Sequence, residues 1–408
     1  MRINNQAASK GFIFTTVLVD VIGLGVIIPV IPELLLKLGG GSLGDSALIS
    51  GFLTFSFAFM QFLFAPLMGI LSDKLGRRPV LLAALLGLGL DYFVMGLAPN
   101  LAWLFASRIV AGIAGSSFTV ANAYMADIST PENKAQNFGL IGAAFGLGFV
   151  IGPALGGLAG QIRIELPFFI AGGLSILNFL FGLIVLPESL SREKRQPIEW
   201  SKANPISSLR YLAKMKRVIG LIAAFFVVYI ASHALQSTWT FFTIAKFKWD
   251  TSMIGYSLTV VGLLVAIVQG GLVKPIVARI GSKQTVVLGY ALWALGMVLF
   301  ATMPNQWLLL AALAPYCLGG IATPTIQSVI SNNVPDTEQG KLQGALTSLI
   351  SISSIVGPLI MTAIFYGFTN ENGLYFPGAP FIMGSILIVL AFAMAWTSIR
   401  KFPSKSGE

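Results

Sequence analysis

The 408-residue chain is poor in most of what enzyme chemistry uses: one cysteine, one histidine, 16 acidic residues, and only 10% charged residues in all. A single thiol, Cys317, closes no disulfide within the chain and founds no metal cluster. No Gly-rich phosphate loop, metal-ligand pair or Ser-His-Asp string stands in a suitable context, so ATP drive, a bound cofactor and enzymatic catalysis have no support. Soluble domains carry roughly 25% charged residues, and the deficit here excludes an ordinary water-facing surface. What fills the chain instead is apolar: 55% hydrophobic residues and a mean hydropathy of +0.82. It belongs in lipid.

Crossing a ~30 Å hydrocarbon core takes about 20 residues of helix. Runs of that length occur near 11–37, 46–71, 79–98, 100–126, 136–160 and 165–186, and again near 218–245, 251–275, 284–303, 305–331, 341–367 and 378–400. The first run is too long for a signal-peptide core and lacks a small-residue cleavage site, so it is expected to be retained. Sliding the chain along itself by 205 residues superimposes Asp45 on Asp250, Gly76 on Gly281, Asn100 on Asn305, Gly115 on Gly320 and Gly152-Pro153 on Gly357-Pro358. The sequence therefore predicts an all-α integral membrane protein of twelve transmembrane helices in two pseudo-symmetric six-helix bundles, residues 1–186 and 218–408, joined by a cytoplasmic linker at 187–217.

Of the 26 Lys and Arg residues, Lys37, Arg163, Lys246 and Lys248 fall in external loops and Arg108 inside a span, if both termini are cytoplasmic. All the others are then internal, as the positive-inside rule requires. The net charge of +10 is thus topology and no nucleic-acid footprint. A multi-pass protein of a cytoplasmic (inner) membrane, working as a monomer, is expected.

Between the second and third spans stands Gly69-Ile-Leu-Ser72-Asp73-Lys74-Leu-Gly76-Arg77-Arg78-Pro79. Two glycines framing an acid, then paired arginines and a helix-opening proline, are more particular than a positive loop needs. The fifth span carries Gly139, Gly148, Gly152-Pro153 and Gly156-Gly157, with glycines 148, 152, 156 and 160 recurring every fourth residue. Such a stripe lets two membrane helices approach closely, and span eight offers Gly262, Ala266 and Gly270 as the expected partner.

The first string resembles the signature loop of the major facilitator superfamily, and the second the antiporter motif of its drug/proton antiporter branch. Asp20-Val-Ile-Gly23-Leu-Gly25-Val-Ile-Ile-Pro29 in the first span, Leu90-Asp91-Tyr92 in the third and Ser107-Arg108 in the fourth look like tetracycline/proton antiporters over nearly the whole chain. The resemblance implies a cytoplasmic conformational latch of Gly69, Asp73, Gly76, Arg77, Arg78 and Asp127, and a two-bundle transporter with protons and a small molecule as partners. One departure is visible: the family's acid in span nine falls about where this chain has Trp293, which predicts that magnesium-chelated tetracycline is a poor substrate.

An ionisable group at mid-bilayer costs about 2.5 to 3.5 kcal/mol on insertion scales, which makes each one a functional candidate. Asp20 lies nine residues past Gly11, about 14 Å deep at 1.5 Å per residue. Burial favours a protonated carboxyl and a nearby cation a charged one, so protons and a substrate would compete for it. Asp91 and Arg108 stand nine residues before and eight after the turn residue Asn100, so a hairpin brings them to similar depth. Proton coupling is therefore assigned to Asp20, Asp91 and Arg108, a structural salt bridge being an equal reading for the last two. Gln61, Asn122, His233, Gln236, Trp239, Gln269, Trp293 and Gln327 are the expected substrate-binding residues, amides and aromatics suited to amphipathic ligands. The expected function is proton-coupled efflux of hydrophobic or amphipathic small molecules by alternating access. A proton-coupled nutrient symporter and a non-transporting membrane sensor are the alternatives.

Overall fold

The computed structural model describes residues 5–399 except 40, 116, 131, 196–211, 213–214, 216–217, 336–337 and 371–372. Most of the expected linker lies outside the described residues. Eleven helical stretches are long and apolar enough to cross a membrane; one of them, Thr251–Thr302, is 52 residues long, twice what a crossing needs. It is broken at Gly281, where φ is 77° and ψ 160°, so it supplies two crossings and the described residues hold twelve.

The spans are Asn5–Lys37, Leu43–Leu75, Arg77–Gly96, a fourth in two pieces (Leu101–Ala114 and Ser117–Asp127), Lys134–Ile162 and Leu166–Val185. In the second copy they are Ile219–Phe247, an eighth that starts at Thr251, a ninth that ends at Thr302, a tenth in two pieces (Gln306–Gly319 and Ala322–Ser331), Gln339–Gly367 and Ala379–Ile399.

Local chemistry repeats with the sequence. Gly76 turns the chain at φ 106°, ψ 156°, and Gly281 does the same 205 residues later; a side chain is strained in that region, so glycine is required at both. The carbonyl oxygens of the Asn100 and Asn305 side chains each accept from the backbone N–H three residues on, Trp103 and Leu308, capping spans four and ten. Both of these spans then break at the repeat-equivalent Gly115 and Gly320.

The described residues form two compact units, drawn from Met1–Ser42, Ser56–Asn204 and Trp249–Gly262 in one and from Leu43–Phe55, Pro205–Lys248 and Leu263–Glu408 in the other. The first parts of spans two and eight, Leu43–Phe55 and Trp249–Gly262, thus each belong to the unit built mainly from the other copy. A methyl group on Gly255 of span eight would lie 3.0 Å from Gly157 Cα in span five, and one on Gly51 of span two would lie 3.2 Å from Thr362 Cβ in span eleven. Gly157 and Thr362 are repeat equivalents, so one close helix contact is built twice. The first unit's core gathers Phe12, Val17, Leu81, Leu85, Tyr124 and Ile141 from spans one, three, four and five. In the second, Trp239 meets Phe300 and Phe381 edge to face at centroid distances of 5.1 and 6.2 Å.

Candidate functional site

In the first unit, the break in span four starts a new helix at Ser117, and this hydroxyl donates to Asp20 Oδ2 at 2.7 Å. The carboxylate is held beside a helix N-terminus, where partial positive charge favours an acid. Its other oxygen, Oδ1, is buried without a hydrogen-bond partner among the described residues. Arg108 is engaged away from this acid: its guanidinium pairs with Asp91 at 2.7 Å, and Ser107 donates to the same carboxylate at 2.5 Å. Arg108 also touches Met95 Sδ and lies 5.8 Å from the ring centroid of Phe57. Both partners of this ion pair are buried, and the hairpin geometry read from the spacing is the one that forms. Tyr92 packs over Gly23, where a methyl group would meet its Cζ at 2.7 Å, and so fastens span three to span one beside Asp20.

At the loop between spans two and three, Arg77 gathers Asp73 at 2.6 Å, Asp127 at 3.0 Å and Ser72 Oγ at 2.6 Å. Asp127 also accepts from Ser189 Oγ at 3.0 Å. Glu188 accepts from the backbone N–H groups of Arg77 at 2.8 Å and Arg78 at 3.3 Å, which caps span three. The end of span six is thereby tied into the same cluster, a connection absent from the sequence expectation. Gly69 has no neighbour within 4 Å of an added methyl.

The glycine stripe of span five requires a correction. Gly148, Gly152 and Gly156 face span one, where added methyls would lie 2.7 Å from Val21 Cβ, 2.8 Å from Gly25 Cα and 2.7 Å from Val26 Cα; Gly160 meets Val30. Span eight packs on the adjacent face: Thr251 and Ser252 donate to Gly157 O at 3.3 Å and Thr259 donates to Val150 O at 3.1 Å. Of the expected partner stripe, Gly262 touches Val150 and Phe149, whereas Gly270 has nothing within 4 Å. The physical reason is rotation, since residues one apart differ by about 100° around a helix, and Gly156 and Gly157 serve two neighbours. Gly139 has nothing within 4 Å of an added methyl.

The second unit contains a cavity of about 210 Å³ between spans seven, eight, nine and ten. Gln236, Gln269 and Trp293 are among its lining residues, joined by Tyr229, Ser232, Tyr316, Cys317 and Thr323. Two expected residues are not there. Trp239 is 1% exposed inside the aromatic core, and His233 packs against Gly357 of span eleven, one residue and so about 100° around the helix from cavity-lining Ser232. The remaining amides are satisfied nearby: Gln61 donates to Gly115 O at 3.1 Å, Asn122 to Phe118 O at 2.7 Å and Gln327 to Gln343 Oε1 at 2.9 Å.

Residues 13–276 and 234–408 match the Major Facilitator Superfamily. Tetracycline resistance protein class C of Escherichia coli is 42% identical over 363 residues, covering 89% of this chain and 91% of that protein. The chain belongs to the Major Facilitator Superfamily. Tetracycline resistance protein class H of Pasteurella multocida is 34% identical, covering 95% of each. Among solved structures, the human organic anion transporter MFSD10 (TETRAN) is 25% identical at a TM-score of 0.71, over 95% of this chain and 99% of that one. A bacterial homologue of the lysosomal transporter Spinster shares the fold at a TM-score of 0.78 and 15% identity, over 98% of each chain.

Superfamily membership makes this a multi-pass membrane transporter rather than an enzyme. For a major facilitator, the residues missed from sequence are informative. Ser117 and Ser189 are short hydroxyls with no pattern of their own, and only the break at Gly115 and the end of span six give them acidic partners. Tyr229, Ser232 and Gln236 share one face of span seven at spacings of three and four, a signal available in the sequence once the inward face is known.

Proposed function

We propose that this transporter exports hydrophobic or amphipathic small molecules in exchange for protons, from a cytoplasmic membrane in which both termini face the cytoplasm, and that it works as a monomer. The observation that carries this is the state of Asp20. One oxygen is fixed by Ser117 and the other is buried without a partner, while Asp91 is already neutralised by Arg108. Asp20 is therefore the carboxylate left to take a proton or to face a substrate. The names of the relatives put tetracycline on the panel of compounds to test first, but the described spans of the second copy hold no acid, which disfavours a magnesium-chelated drug there.

A membrane potential of ~150 mV supplies about 3.5 kcal/mol per net charge moved, enough for a gradient of several hundredfold at 1.4 kcal/mol per factor of ten. In this proposal Asp73, Arg77 and Asp127 serve as the conformational latch, and Gly148 to Gly157 as the seam that lets spans one, five and eight move as rigid helices. Purified protein in proteoliposomes with an internal pH dye, screened against a drug panel in both gradient directions, tests this. Substrate-driven proton movement opposite to the drug is expected, and movement in the same direction would establish symport instead.

A further inference from the structure

The cavity of the second unit has a chemical character of its own. Among the described residues, no charged side chain lines it. The chain's acids after residue 210 are Asp250, Asp336, Glu338, Glu371 and the terminal Glu408, all outside the expected spans. Its walls are aromatic, with Trp293 and Tyr316 set edge to face at 6.0 Å. Its polar groups are amides and hydroxyls. Gln236 donates through Nε2 to Ser232 Oγ at 3.3 Å, and Ser232 donates onward to Tyr229 O at 2.7 Å, which fixes the amide while leaving its carbonyl oxygen without a partner among the described residues.

Gln269 has no hydrogen bond among the described residues and is exposed within the cavity lining. It sits on a single π-helical turn, Val268–Leu272, closed by the Val273 N–H donating to Val268 O. Such turns interrupt an α-helix at the cost of regular hydrogen bonding and occur frequently at functional sites. A fixed acceptor and an open donor-acceptor amide in an uncharged aromatic chamber are complementary to a planar group that offers both a donor and an acceptor along one edge. A cation would enter without a carboxylate to offset its lost hydration.

We infer that this cavity is a subsite for an uncharged, planar aromatic group bearing an amide-like donor-acceptor edge, held between Gln236 and Gln269 against Trp293 and Tyr316. At about 210 Å³ it is smaller than the roughly 300–1,000 Å³ of drug-sized pockets, so it takes a bicyclic ring with its substituent rather than a whole large drug. The inference rests on the transport proposal only for its biological meaning; the binding itself needs no gradient.

The test is equilibrium dialysis of tritiated 1-naphthamide with the full-length protein in detergent, in competition with 1-naphthylmethylammonium and with magnesium-tetracycline. Saturable binding of the amide is expected, with the ammonium analogue at least tenfold weaker. Gln236→Leu and Gln269→Leu should each weaken amide binding about three- to tenfold, the worth of a neutral hydrogen bond, and Gln269→Glu should turn the preference toward the ammonium. Absence of saturable amide binding, equal affinity for amide and ammonium in the unmodified protein, or unchanged affinity in both leucine variants would overturn the inference; the second comparison involves no variant and so does not depend on folding. Expected binding without proton-driven transport would retain the subsite and remove the antiport proposal. Transport without such binding would do the reverse.

Discussion

Replacing Gly152 by alanine tests whether span five and span one are in backbone contact. The added methyl would lie 2.8 Å from Gly25 Cα and 2.9 Å from Ile22 O, both main-chain atoms that have no rotamer with which to yield. Carbon atoms rest at about 3.5–4.0 Å, so the two helices must separate locally by close to 1 Å. Overpacking of this kind costs about 1–3 kcal/mol. The sign is informative because alanine is otherwise favoured over glycine within a helix by about 1 kcal/mol. Gly146 lies on the same helix with nothing within 4 Å, so Gly146→Ala serves as the control and should match or exceed the parent. Gly262→Ala is intermediate, since its methyl would lie 3.0 Å from the side-chain atom Val150 Cγ2. Thermal unfolding in detergent should therefore rank Gly146→Ala above Gly262→Ala above Gly152→Ala. A Gly152→Ala protein as stable as Gly146→Ala would refute the packing of the stripe on span one.

Arg108→Ala leaves the buried Asp91 carboxylate without its partner and should cost about 3–5 kcal/mol, whereas the paired change Asp91→Asn with Arg108→Gln should recover much of that in the same melting assay. At the ends of spans one and six, the hydrogen bond from Lys37 holds the Glu165 carboxyl below its ordinary value of 4.5. Because the folded pKa is depressed, that stabilisation is present above the ordinary range and is lost as pH falls through the folded value. Lys37 is largely exposed, so the pair is worth about 0–1 kcal/mol, and Lys37→Met should flatten the acid limb of a stability-pH curve by no more than this, with 0.5 M salt having a similar effect. In a pump-deficient bacterium, expression should raise resistance to neutral aromatic compounds more than to tetracycline, and strong resistance to tetracycline alone would show that the missing acid at Trp293 has been overvalued.

The landmarks of the repeat were legible in the sequence because they need no knowledge of neighbours. The repeat paired Gly76 with Gly281 and Asn100 with Asn305 from sequence alone, and the structure adds what each pair does, a positive φ at the glycines and a cap at the asparagines. The Asp91–Arg108 pair was legible for a related reason, since a short hairpin equalises depth on its two sides. Packing partners were less so. Four-residue glycine spacing shows that some helix comes close, but only the rotation of span five decides that Gly156 meets Val26 while Gly157 meets Thr251 and Gly255. Residue type likewise misassigned Trp239, whose indole serves the aromatic core, and passed over Ser232 and Tyr229, whose place on the cavity face follows from how span seven is turned. Ser117 needed the break in span four, which the sequence marks only with glycine and serine.

The central claim is that Asp20 exchanges a proton for substrate, and replacing it by asparagine keeps the shape and an acceptor for Ser117 while removing the titration. Proteoliposomes containing Asp20→Asn should exchange labelled substrate across the membrane at equal concentrations, which reports an intact fold and a working site. Under an imposed pH gradient they should fail to accumulate substrate uphill, whereas the parent protein does. Normal uphill accumulation by Asp20→Asn would contradict the account.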